Sequence, residues 1–396
     1  MKQRLMILGA GPLQLPGILR AKAMGLHVIA IDMNKNAIGI QYADEFYEIS
    51  TTDIEPIVKK AEQLRIDGIM TLATDRPMRA VAMAGERLGL RTISYETAIR
   101  ATDKARMREQ LARHGVPIPL FSIAWTYREF EQIAYSLQGD LVVKPADSSG
   151  SRGIHLLRYR SELRRVFEYS KASSSSGEIV VEEYMEGPEV SVETITLAGM
   201  THVVAITDKL TSGPPHFVEK GHSVQSLLPD DAKSDIAEVA KKAIAAIGID
   251  DGPAHTEIIL TKEGPKVVEL GARLGGDYIT TSLVPLATGI DMVQACIDLA
   301  IGNNPDINPK FDRGSAIRYL DSYDGILCGI KGVEKARNIE GMHEIKILKS
   351  VGDELKEITN SADRVGYVIA HADSTQKAID VCDQALAQVN IMIGKG

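Results

Sequence analysis

Over the first hundred residues, short apolar runs alternate with stretches in which apolar residues recur every three or four positions. This pattern predicts strands at residues 5–8, 28–31 and 68–72 and helices at residues 12–24, 54–64 and 77–88. Strands that alternate with helices are typical of a parallel sheet covered by helices. We therefore expect an α/β unit with a parallel sheet at the start of the chain.

The middle of the chain changes to an α+β pattern. A proline-containing segment at residues 116–119 predicts a hinge, because proline interrupts both helices and sheets. The pattern that follows predicts a compact unit over residues 121–183, with strands at 141–144 and 178–183, a loop at 147–153 and a helix at 161–169. Next come predicted strands at 189–197 and 202–207, a loop at 212–226 and helices at 231–247 and 289–301.

The last part of the chain begins with a polar, proline-containing stretch at residues 303–312, which marks a boundary. The remaining pattern predicts strands at 316–320 and 365–370 and a helix at 375–389. We find no internal repeat.

Two glutamates face each other across a predicted β-hairpin. Residues 256–271 contain two β-branched, apolar runs around a tight turn that ends at Gly264, a residue suited to a positive φ. With the turn centred on Glu263, Glu257 lies opposite Glu269 with Cβ atoms about 5 Å apart. Such a pair is unfavourable without a cation, and Mg²⁺ is commonly held by one or two carboxylates together with nucleotide phosphates. The pair predicts a floor for Mg²⁺–nucleotide; an exposed hairpin with two solvated glutamates is the alternative.

Composition and charge narrow the class of protein. The chain has 396 residues and a formal charge of −8. This mild charge and the lack of a basic stripe argue against nucleic-acid binding, and no apolar run is long enough to cross a bilayer. The N-terminus lacks the apolar core and cleavage site of a signal peptide. The three cysteines are far apart without metal-binding spacing, so we expect a reduced, cytoplasmic protein.

A glycine-containing turn follows the first predicted strand. It has the sequence G-A-G-P-L-Q from Gly9 to Gln14, and Asp32 ends the next strand. A dinucleotide-binding fingerprint requires a third glycine at the position of Gln14. The turn therefore favours a structural or substrate-binding role over NAD.

Two further segments contain the residue types of a nucleotide site. Lys144 ends the strand L-V-V-K-P, and the loop D-S-S-G-S-R-G follows at residues 147–153. Small residues let backbone N–H groups approach phosphate, and a lysine neutralises its charge. The strand I-V-V-E-E-Y-M-E-G-P-E-V could then offer backbone groups to an adenine edge and a carboxylate to a ribose. Taken singly, the loop is equally explained as a turn, and each glutamate as a solvated strand end.

The order of these motifs resembles the ATP-grasp superfamily. A D-K helix start at Lys104, the V-V-K-P strand, the S-S-G-S-R-G loop, the V-E-E-Y-M-E-G-x-E strand, the T-E hairpin and an E-x-x-x-R strand follow one another. The resemblance covers nearly the whole chain and implies an α/β ATP-grasp fold. It predicts a Rossmann-like parallel-sheet domain at residues 1–101, an antiparallel-sheet ATP-grasp domain at 102–308 with an α+β lid at about 120–182, and a small α+β domain at 309–396.

The resemblance also implies a set of site residues, with ATP and Mg²⁺ (or Mn²⁺) as cofactors. Lys104 and Lys144 would contact phosphates, and Arg273 would steady the transferred phosphate, so that Lys144, Arg273 and Glu269 are the catalytic candidates. The lid loop would use Ser148, Ser149, Gly150 and Gly153, adenine would meet Glu182 and the backbone of Glu183 and Met185, ribose would meet Glu189, and the metal would bind Glu257 and Glu269. Gly271 replaces the asparagine of the usual E-x-N-x-R motif, so a second metal ion would be held more weakly or through water.

Members of the superfamily join a carboxylate to an amine through an acyl-phosphate and release ADP and phosphate. The segments A-R-L-G-G and G-P-A-H-T-E are most similar to amino-acid and dipeptide ligases, so we expect an amino acid as one small-molecule substrate and a homodimer. The expected substrate contacts are Asp75, Glu219, His222, His255, Arg273 and Arg318. For three of them a structural role is the alternative: a strand histidine at 255, an exposed strand arginine at 318 and a helix cap at Asp75.

Three other functions compete with this interpretation. A purine-biosynthetic member similar to phosphoribosylglycinamide synthetases, or a bicarbonate-using, carboxylase-like member, would share the same fold and cofactors. An NAD-dependent dehydrogenase would use Gly9, Gly11 and Asp32 but would leave the motifs between residues 100 and 275 unexplained. A non-catalytic nucleotide sensor is disfavoured because both glutamates, Arg273 and both lysines are intact.

Overall fold

Nearly every residue of the first two strands is apolar and buried, which requires a sheet covered on both faces. The computed structural model, which describes residues 2–148, 152–214 and 217–394, contains that sheet. Strands β1 (Arg4–Leu8), β2 (His27–Asp32), β3 (Glu45–Glu48) and β4 (Gly68–Met70) pair in parallel in the order β3-β2-β1-β4. The helices of this unit are α1 (Leu15–Ala23), α2 (Ile54–Leu64), α3 (Met78–Leu88) and α4 (Tyr95–Thr102). The predicted parallel sheet is confirmed; the short strand β3 and helix α4 were not predicted.

The next unit has an apolar core of its own. Helix α5 (Lys104–Arg113) precedes this unit and packs Met107 and Leu111 into the same apolar cluster as Val81 of α3. The unit itself contains β5 (Phe121–Ala124), α6 (Tyr127–Ser136), β6 (Leu141–Pro145), β7 (His155–Leu157), α7 (Leu163–Ala172) and β8 (Ile179–Glu183). The strands form an antiparallel sheet in the order β5-β8-β6-β7. Phe130 of α6 and Phe167 of α7 pack together on this sheet with ring centroids 5.5 Å apart. We call residues 121–183 the lid unit.

A large antiparallel sheet spans the rest of the chain. Its elements, with those of a small flanking sheet, are β9 (Glu189–Leu197), β10 (Met200–Thr211), β11 (Glu219–Val224), α8 (Asp230–Ile247), β12 (Gly252–Thr261), β13 (Gly264–Gly271), α9 (Val284–Thr288), α10 (Met292–Ala300), β14 (Gly314–Tyr319), β15 (Gly325–Lys331), α11 (Val333–Arg337), β16 (Met342–Ile347), β17 (Glu354–Leu355), β18 (Gly366–Ala372), α12 (Thr375–Gln388) and β19 (Asn390–Gly394). The large sheet has the order β13-β12-β9-β10-β11-β14-β18-β16, and the small one β17-β15-β19. β11 lies where we expected only a loop at 212–226. The large sheet continues across residue 308, and the domain boundaries remain predictions.

Alternation along β9 separates a core face from a polar face. Val190 and Val192 pack into the same apolar cluster as Ile236 and Ala240 of α8. Because successive side chains of a strand point to opposite faces, Glu189, Ser191 and Glu193 lie on the other face of the sheet. That second face is the polar floor on which the candidate site is built.

Within the described ranges, no single helix is long and apolar enough to span a membrane, and one bent pair, Ile279–Thr288 with Met292–Ala300, meets that criterion only as a combination.

Candidate active site

The predicted pairing of Glu257 with Glu269 is confirmed, but the hairpin reaches it by a different route. The turn is two residues long, because Thr261 pairs with Gly264, whose φ is +115°. Continued without interruption, this register would place Val268 opposite Glu257. The register instead shifts beside Glu257, so that Val268 is the extra residue of a β-bulge. The bulge returns Glu269 to the face of Glu257.

A lysine neutralises each of the two facing carboxylates. Lys104 Nζ lies 3.0 Å from Glu269 Oε1, and Lys209 Nζ lies 3.0 Å from Glu257 Oε1. Burial disfavours the charge on Glu257, but Lys209 and His255 hold its pKa well below the usual range. Burial likewise opposes the charge on Lys104, yet the Glu269 carboxylate raises its pKa. The cations that a like-charged pair requires are therefore supplied by lysines that can also bind phosphate.

The carboxylate pair fits Mg²⁺. The side chains of Glu257 and Glu269 keep 25% and 31% of their surface exposed, so their oxygens remain accessible. Within the described residues, no group of three or more His, Cys, Asp and Glu side chains forms a closed metal site. Two open carboxylates suit an ion that keeps several waters and binds nucleotide phosphates, which is the behaviour of Mg²⁺.

Lys209 also links Glu257 of the carboxylate pair to Glu189, the residue expected to bind ribose. Its Nζ lies 2.5 Å from Glu189 Oε1 as well as 3.0 Å from Glu257. Glu189 begins β9, and β10 carries Lys209 on the adjacent strand. The three side chains form one row across the polar floor.

Glu182 holds two cations in the lid unit. Its carboxylate oxygens lie 2.6 Å from Arg108 Nε and 2.7 Å from Lys144 Nζ. Despite burial, these cations lower the pKa of Glu182 to about 2. Burial lowers the pKa of Lys144 against the opposing pull of Glu182. Both carboxylate oxygens of Glu182 therefore already bind cations. The expected contact of Glu182 with adenine stays a prediction.

The other two residues expected to contact adenine, Glu183 and Met185, lie at the end of β8 and just after it. Glu183 donates its backbone N–H to the Leu120 carbonyl at 2.9 Å, and its side chain binds Lys266 at 3.0 Å. Met185 is nearly buried, at 9% exposed. Their roles toward adenine stay predictions.

Only the two ends of the predicted phosphate loop at residues 147–153 lie within the described residues. The Ser148 carbonyl accepts a hydrogen bond from Lys104 Nζ at 2.7 Å. Gly153 has a φ of +78°, and its carbonyl accepts from Ser170 at 2.7 Å. Ser149 and Gly150, which we expected at the phosphates, lie outside the described residues.

The E-x-x-x-R strand motif predicts that Arg273 lies on the same strand as Glu269. This prediction is wrong, because β13 ends at Gly271. Arg273 is oriented instead by Asp75 of the N-terminal unit, with Nε–Oδ1 at 3.0 Å and Nη2–Oδ2 at 3.1 Å. Asp75 therefore engages this arginine, a role that differs from the proposed helix cap. Burial opposes the guanidinium charge, but Asp75 raises the pKa of Arg273.

Gly271 is the residue that leaves room for this ion pair. A Cβ at position 271 would lie 2.7 Å from Asp75 Oδ1 and 3.1 Å from Arg273 Cζ. Real Cβ atoms essentially never lie within 3.0 Å of another atom, so the end of the Asp75 side chain would have to shift. The glycine in place of the usual asparagine thus has a steric explanation in this chain.

His255 lies on the polar floor between two carboxylates. It pairs with Gly271 across the hairpin, as follows from the predicted register with Glu257 opposite Glu269. Its Nδ1 lies 2.6 Å from Glu193 and its Nε2 lies 3.4 Å from Glu257. Burial disfavours the imidazolium, but the Glu193 and Glu257 carboxylates raise the pKa of His255 to about 9. A role toward substrate stays a prediction.

Two more expected substrate residues meet in a second polar cluster. His222 Nε2 lies 3.3 Å from Asp277 Oδ2, and Arg364 binds both oxygens of Asp277, at 3.0 and 2.9 Å. Arg364 also lies 3.2 Å from Glu219 and stacks over the ring of Tyr319 at 3.6 Å.

This second cluster adjoins the polar floor, because His222 pairs with Lys209 across β10 and β11. Arg318, by contrast, is 8% exposed and donates to the His222 carbonyl at 3.1 Å. The alternative of an exposed strand arginine is therefore wrong. The sequence segment around these residues includes Pro215 and His216, which lie outside the described residues.

The N-terminal turn lacks the open shape that a dinucleotide needs. Gln14 fills it, donating from Nε2 to the Leu72 carbonyl at 2.7 Å and lying where a Cβ on Gly9 would meet it at 2.9 Å. Asp32 accepts the N–H of Ala10 at 2.8 Å. These contacts argue against the dehydrogenase alternative.

Comparisons with known proteins agree with this geometry. Residues 137–281 match the ATP-grasp domain family, and residues 318–394 match the L-amino acid ligase C-terminal domain 2. Alanine–anticapsin ligase of Bacillus subtilis is 31% identical over 281 residues, which cover 65% of this chain and 58% of that protein. The chain thus spans somewhat over half the length of that relative.

Solved structures match over the full length. Phosphoribosylglycinamide synthetase from Anaerococcus prevotii is 25% identical with a TM-score of 0.81, and the match covers 100% of both chains. L-amino acid ligase from Bacillus licheniformis is 22% identical with a TM-score of 0.85 over 100% of this chain and 99% of that one. The α/β ATP-grasp fold expected from the motif order is confirmed.

Sequence reasoning missed several partners of the expected residues. They are Arg108, Glu193, Lys209, Asp277 and Arg364. The position of Arg108 could have been inferred from the sequence, because Arg108 follows Lys104 by one helical turn and therefore lies on the same face of the helix. The others come from neighbouring strands or distant loops, and only the assembled fold brings them to the site.

Proposed function

We propose that the chain is an ATP-dependent ligase of the ATP-grasp superfamily that joins a carboxylate to an amine, with an amino acid as one substrate; the matches of residues 137–281 and 318–394 support this. One observation supports the proposal most strongly: Glu257 and Glu269 face each other on the polar floor, and each pairs with a lysine. The match of residues 318–394 to an L-amino acid ligase domain supports the amino acid as substrate class. A homodimer belongs to the same proposal.

ATP and Mg²⁺ are the cofactors of this superfamily, and a solved carboxylase domain of the same fold is described as a complex with MgADP. Under the proposal, Glu257 and Glu269 hold Mg²⁺, which neutralises phosphate charge when bound. Lys104 and Lys144 add fixed positive charge beside the phosphates, and Glu189 accepts hydrogen bonds from the ribose hydroxyls. Such positioning and charge neutralisation provide most of the catalysis in phosphoryl transfer.

The proposed reaction has two steps. A carboxylate oxygen of the acid attacks the γ-phosphorus of ATP, and the bond to ADP breaks, which gives an acyl-phosphate. The amine then attacks the acyl carbon, phosphate leaves with the C–O bonding pair, and the nitrogen loses its proton. Arg273, oriented by Asp75, stabilises the negative charge on the transferred group. No nucleophilic side chain is required.

The second polar cluster supports an amine-binding role beside this centre. Glu219 and Asp277 both bind Arg364, His222 contacts Asp277, and His222 pairs with Lys209 of the floor. The carboxylate oxygens of Glu219 and Asp277 suit the ammonium group of an amino acid.

An assay of phosphate release tests the proposal and identifies the substrates. The protein is incubated with ATP, Mg²⁺ and pairs of amino acids, and mass spectrometry detects any amide product. We expect phosphate release that depends on at least one amino acid. Phosphoribosylamine with glycine, and bicarbonate, serve as arms for the purine-biosynthetic and carboxylase-like alternatives, the first of which has support from the phosphoribosylglycinamide synthetase match. Turnover only in those arms would overturn the amino-acid ligase; binding of NADH without binding of Mg-ATP would overturn the ligase altogether.

A further inference from the structure

Arg108 contacts both the lid unit and the hairpin. It lies one turn after Lys104 on α5, and Lys104 binds Glu269. Arg108 Nε donates to Glu182 Oε1 at 2.6 Å, while its Nη2 donates to the carbonyl oxygen of Val268 at 2.7 Å. The side chain is 1% exposed. A single buried guanidinium therefore joins β8 of the lid unit to the bulge of β13.

The Val268 bulge decides where Glu269 points. With the two-residue turn and no bulge, Glu269 would pair with Thr256, which now pairs with Leu270. Leu270 belongs to the apolar cluster under the sheet that α8 covers. A shift of one residue turns a side chain to the opposite face of the sheet, so Glu269 would leave the polar floor. The residue that holds this bulge thus controls the carboxylate pair.

The contact in the lid unit leaves one positive charge unbalanced. Arg108 and Lys144 bring two positive charges to the single negative charge of Glu182, and each of these side chains is 5% exposed or less. Buried charge is unfavourable without a partner. Arg108 Nη1 is buried and finds no hydrogen-bond acceptor in the described part of the chain. A nucleotide phosphate at Lys144 would supply the missing negative charge.

We propose that Arg108 is a positioning residue that couples nucleotide binding in the lid unit to the metal carboxylates, by holding the Val268 bulge that sets Glu269 opposite Glu257. The inference rests on the proposed function of Lys144 and of the carboxylate pair. Arginine suits this role because its planar fork reaches two partners at once. A lysine would keep the charge but present it at one point, so the link to the Val268 carbonyl would be lost.

Arg108→Lys tests the coupling with two separate affinities. Calorimetry measures the binding of ATP in EDTA, and electron paramagnetic resonance measures the binding of Mn²⁺ to the protein–ATP complex. We expect the ATP affinity to stay within about threefold of wild type and the Mn²⁺ affinity to fall ~10-fold, the scale on which residues behind metal ligands act. Arg106→Lys is the matched control, because Arg106 is on the same helix but is 53% exposed and pairs only with Glu109 among the ion pairs of the described residues. It should leave both affinities unchanged.

An unchanged Mn²⁺ affinity in Arg108→Lys would overturn the coupling. An equal loss of both affinities would also overturn it, because a simple nucleotide contact or a general loss of structure gives that result. Hydrogen exchange of the wild type tests the same link without any variant: ATP in EDTA should slow exchange of the amides at residues 264–271, and an unchanged rate contradicts the proposal. A wild type that binds neither ATP nor Mn²⁺–ATP refutes the proposed function itself, so the two failures are distinguishable.

Discussion

Asp75 and Arg273 form a two-point ion pair between the N-terminal unit and the end of the metal-binding hairpin, with distances of 3.0 and 3.1 Å. The pair occupies the space beside Gly271 in which a side chain at that position would lie. The departure from the usual E-x-N-x-R motif and the position of Arg273 are therefore one structural feature.

Replacing Gly271 with the usual asparagine should harm this enzyme. The new Cβ would lie 2.7 Å from Asp75 Oδ1 and 3.1 Å from Arg273 Cζ, so the facing ends of both side chains must shift. Because a displacement of about 1 Å in an active site can cost 100-fold in rate, we expect Gly271→Asn to lower turnover on the order of 100-fold. Phosphate release with the identified substrates measures it.

Gly276→Ala is the control for that substitution, because the nearest atom to a Cβ there is Ala73 Cβ at 3.8 Å, an ordinary contact. It should retain near-normal turnover. A Gly271→Asn protein as active as the wild type would show that the Asp75–Arg273 pair is not needed in this position.

The metal assignment predicts a large effect at Glu269. Glu269→Gln removes one of the two facing charges, and we expect turnover to fall at least ~100-fold, as for loss of a key electrostatic group. Mn²⁺ binding to the protein–ATP complex should weaken in parallel. Glu263→Gln is the matched control, since Glu263 lies on the same hairpin and is 76% exposed. Wild-type turnover in Glu269→Gln would refute the metal site.

The sequence predicted the part of this site that follows from local periodicity. Alternation along one hairpin was enough to place Glu257 opposite Glu269 and His255 opposite Gly271. The bulge at Val268 could not be predicted, because nothing in the sequence distinguishes a three-residue turn from a two-residue turn followed by a bulge. The two alternatives give the same register at Glu257.

The remaining part depends on contacts between distant segments. β11 was missed because its segment mixes Gly, His and Lys residues, and it is a strand only through pairing with β10 and β14. An exposed strand residue was the alternative for Arg318, but β11 and β18 enclose its strand. Partners such as Lys209 and Arg364 follow from the packing of strands and loops against one another, which a single sequence does not encode locally.

Glu182 should make the stability of the protein depend on acid pH. Its folded-state pKa of about 2 lies below the ordinary value of 4.5, so its stabilising effect is present above pH 4.5 and is lost as the pH falls toward 2. Glu182→Gln leaves two buried cations without a counter-charge and should lower the free energy of unfolding by about 3–5 kcal/mol at neutral pH. Urea titrations from about pH 6 to about pH 3 should show the difference from wild type shrinking.

Glu238→Gln is the control for this pH series, because Glu238 is 59% exposed on α8 and forms a surface ion pair with Lys241. It should change the free energy of unfolding by less than ~0.5 kcal/mol at every pH. A gap between Glu182→Gln and wild type that stays constant with pH would contradict the ionised state of Glu182.

Nucleotide binding should protect the lid unit from proteolysis. Asp147, at the start of the phosphate loop, accepts hydrogen bonds from the N–H groups of Ser175 and Ser176 and from the Ser174 hydroxyl, at 3.2, 2.7 and 2.9 Å. A ligand that holds this loop should therefore also hold residues 173–177. We expect Mg-ATP to slow cleavage by subtilisin near Ser148 and Ser174 while cleavage within residues 303–312 stays unchanged. Equal cleavage with and without nucleotide would count against a mobile lid.

The products should be ADP, phosphate and an amide, and not AMP and pyrophosphate. Lys104, whose Nζ binds both Glu269 and the Ser148 carbonyl, places the carboxylate pair beside the phosphate loop. Positive charge from Lys104 and Lys144 would then act at the terminal phosphates, where charge moves during transfer to a carboxylate. Hydroxylamine, added with ATP, Mg²⁺ and the correct acid, should attack the acyl carbon, displace phosphate and give a hydroxamate. Chromatography of the nucleotides should show ADP in equal amount, and AMP in its place would refute the acyl-phosphate mechanism.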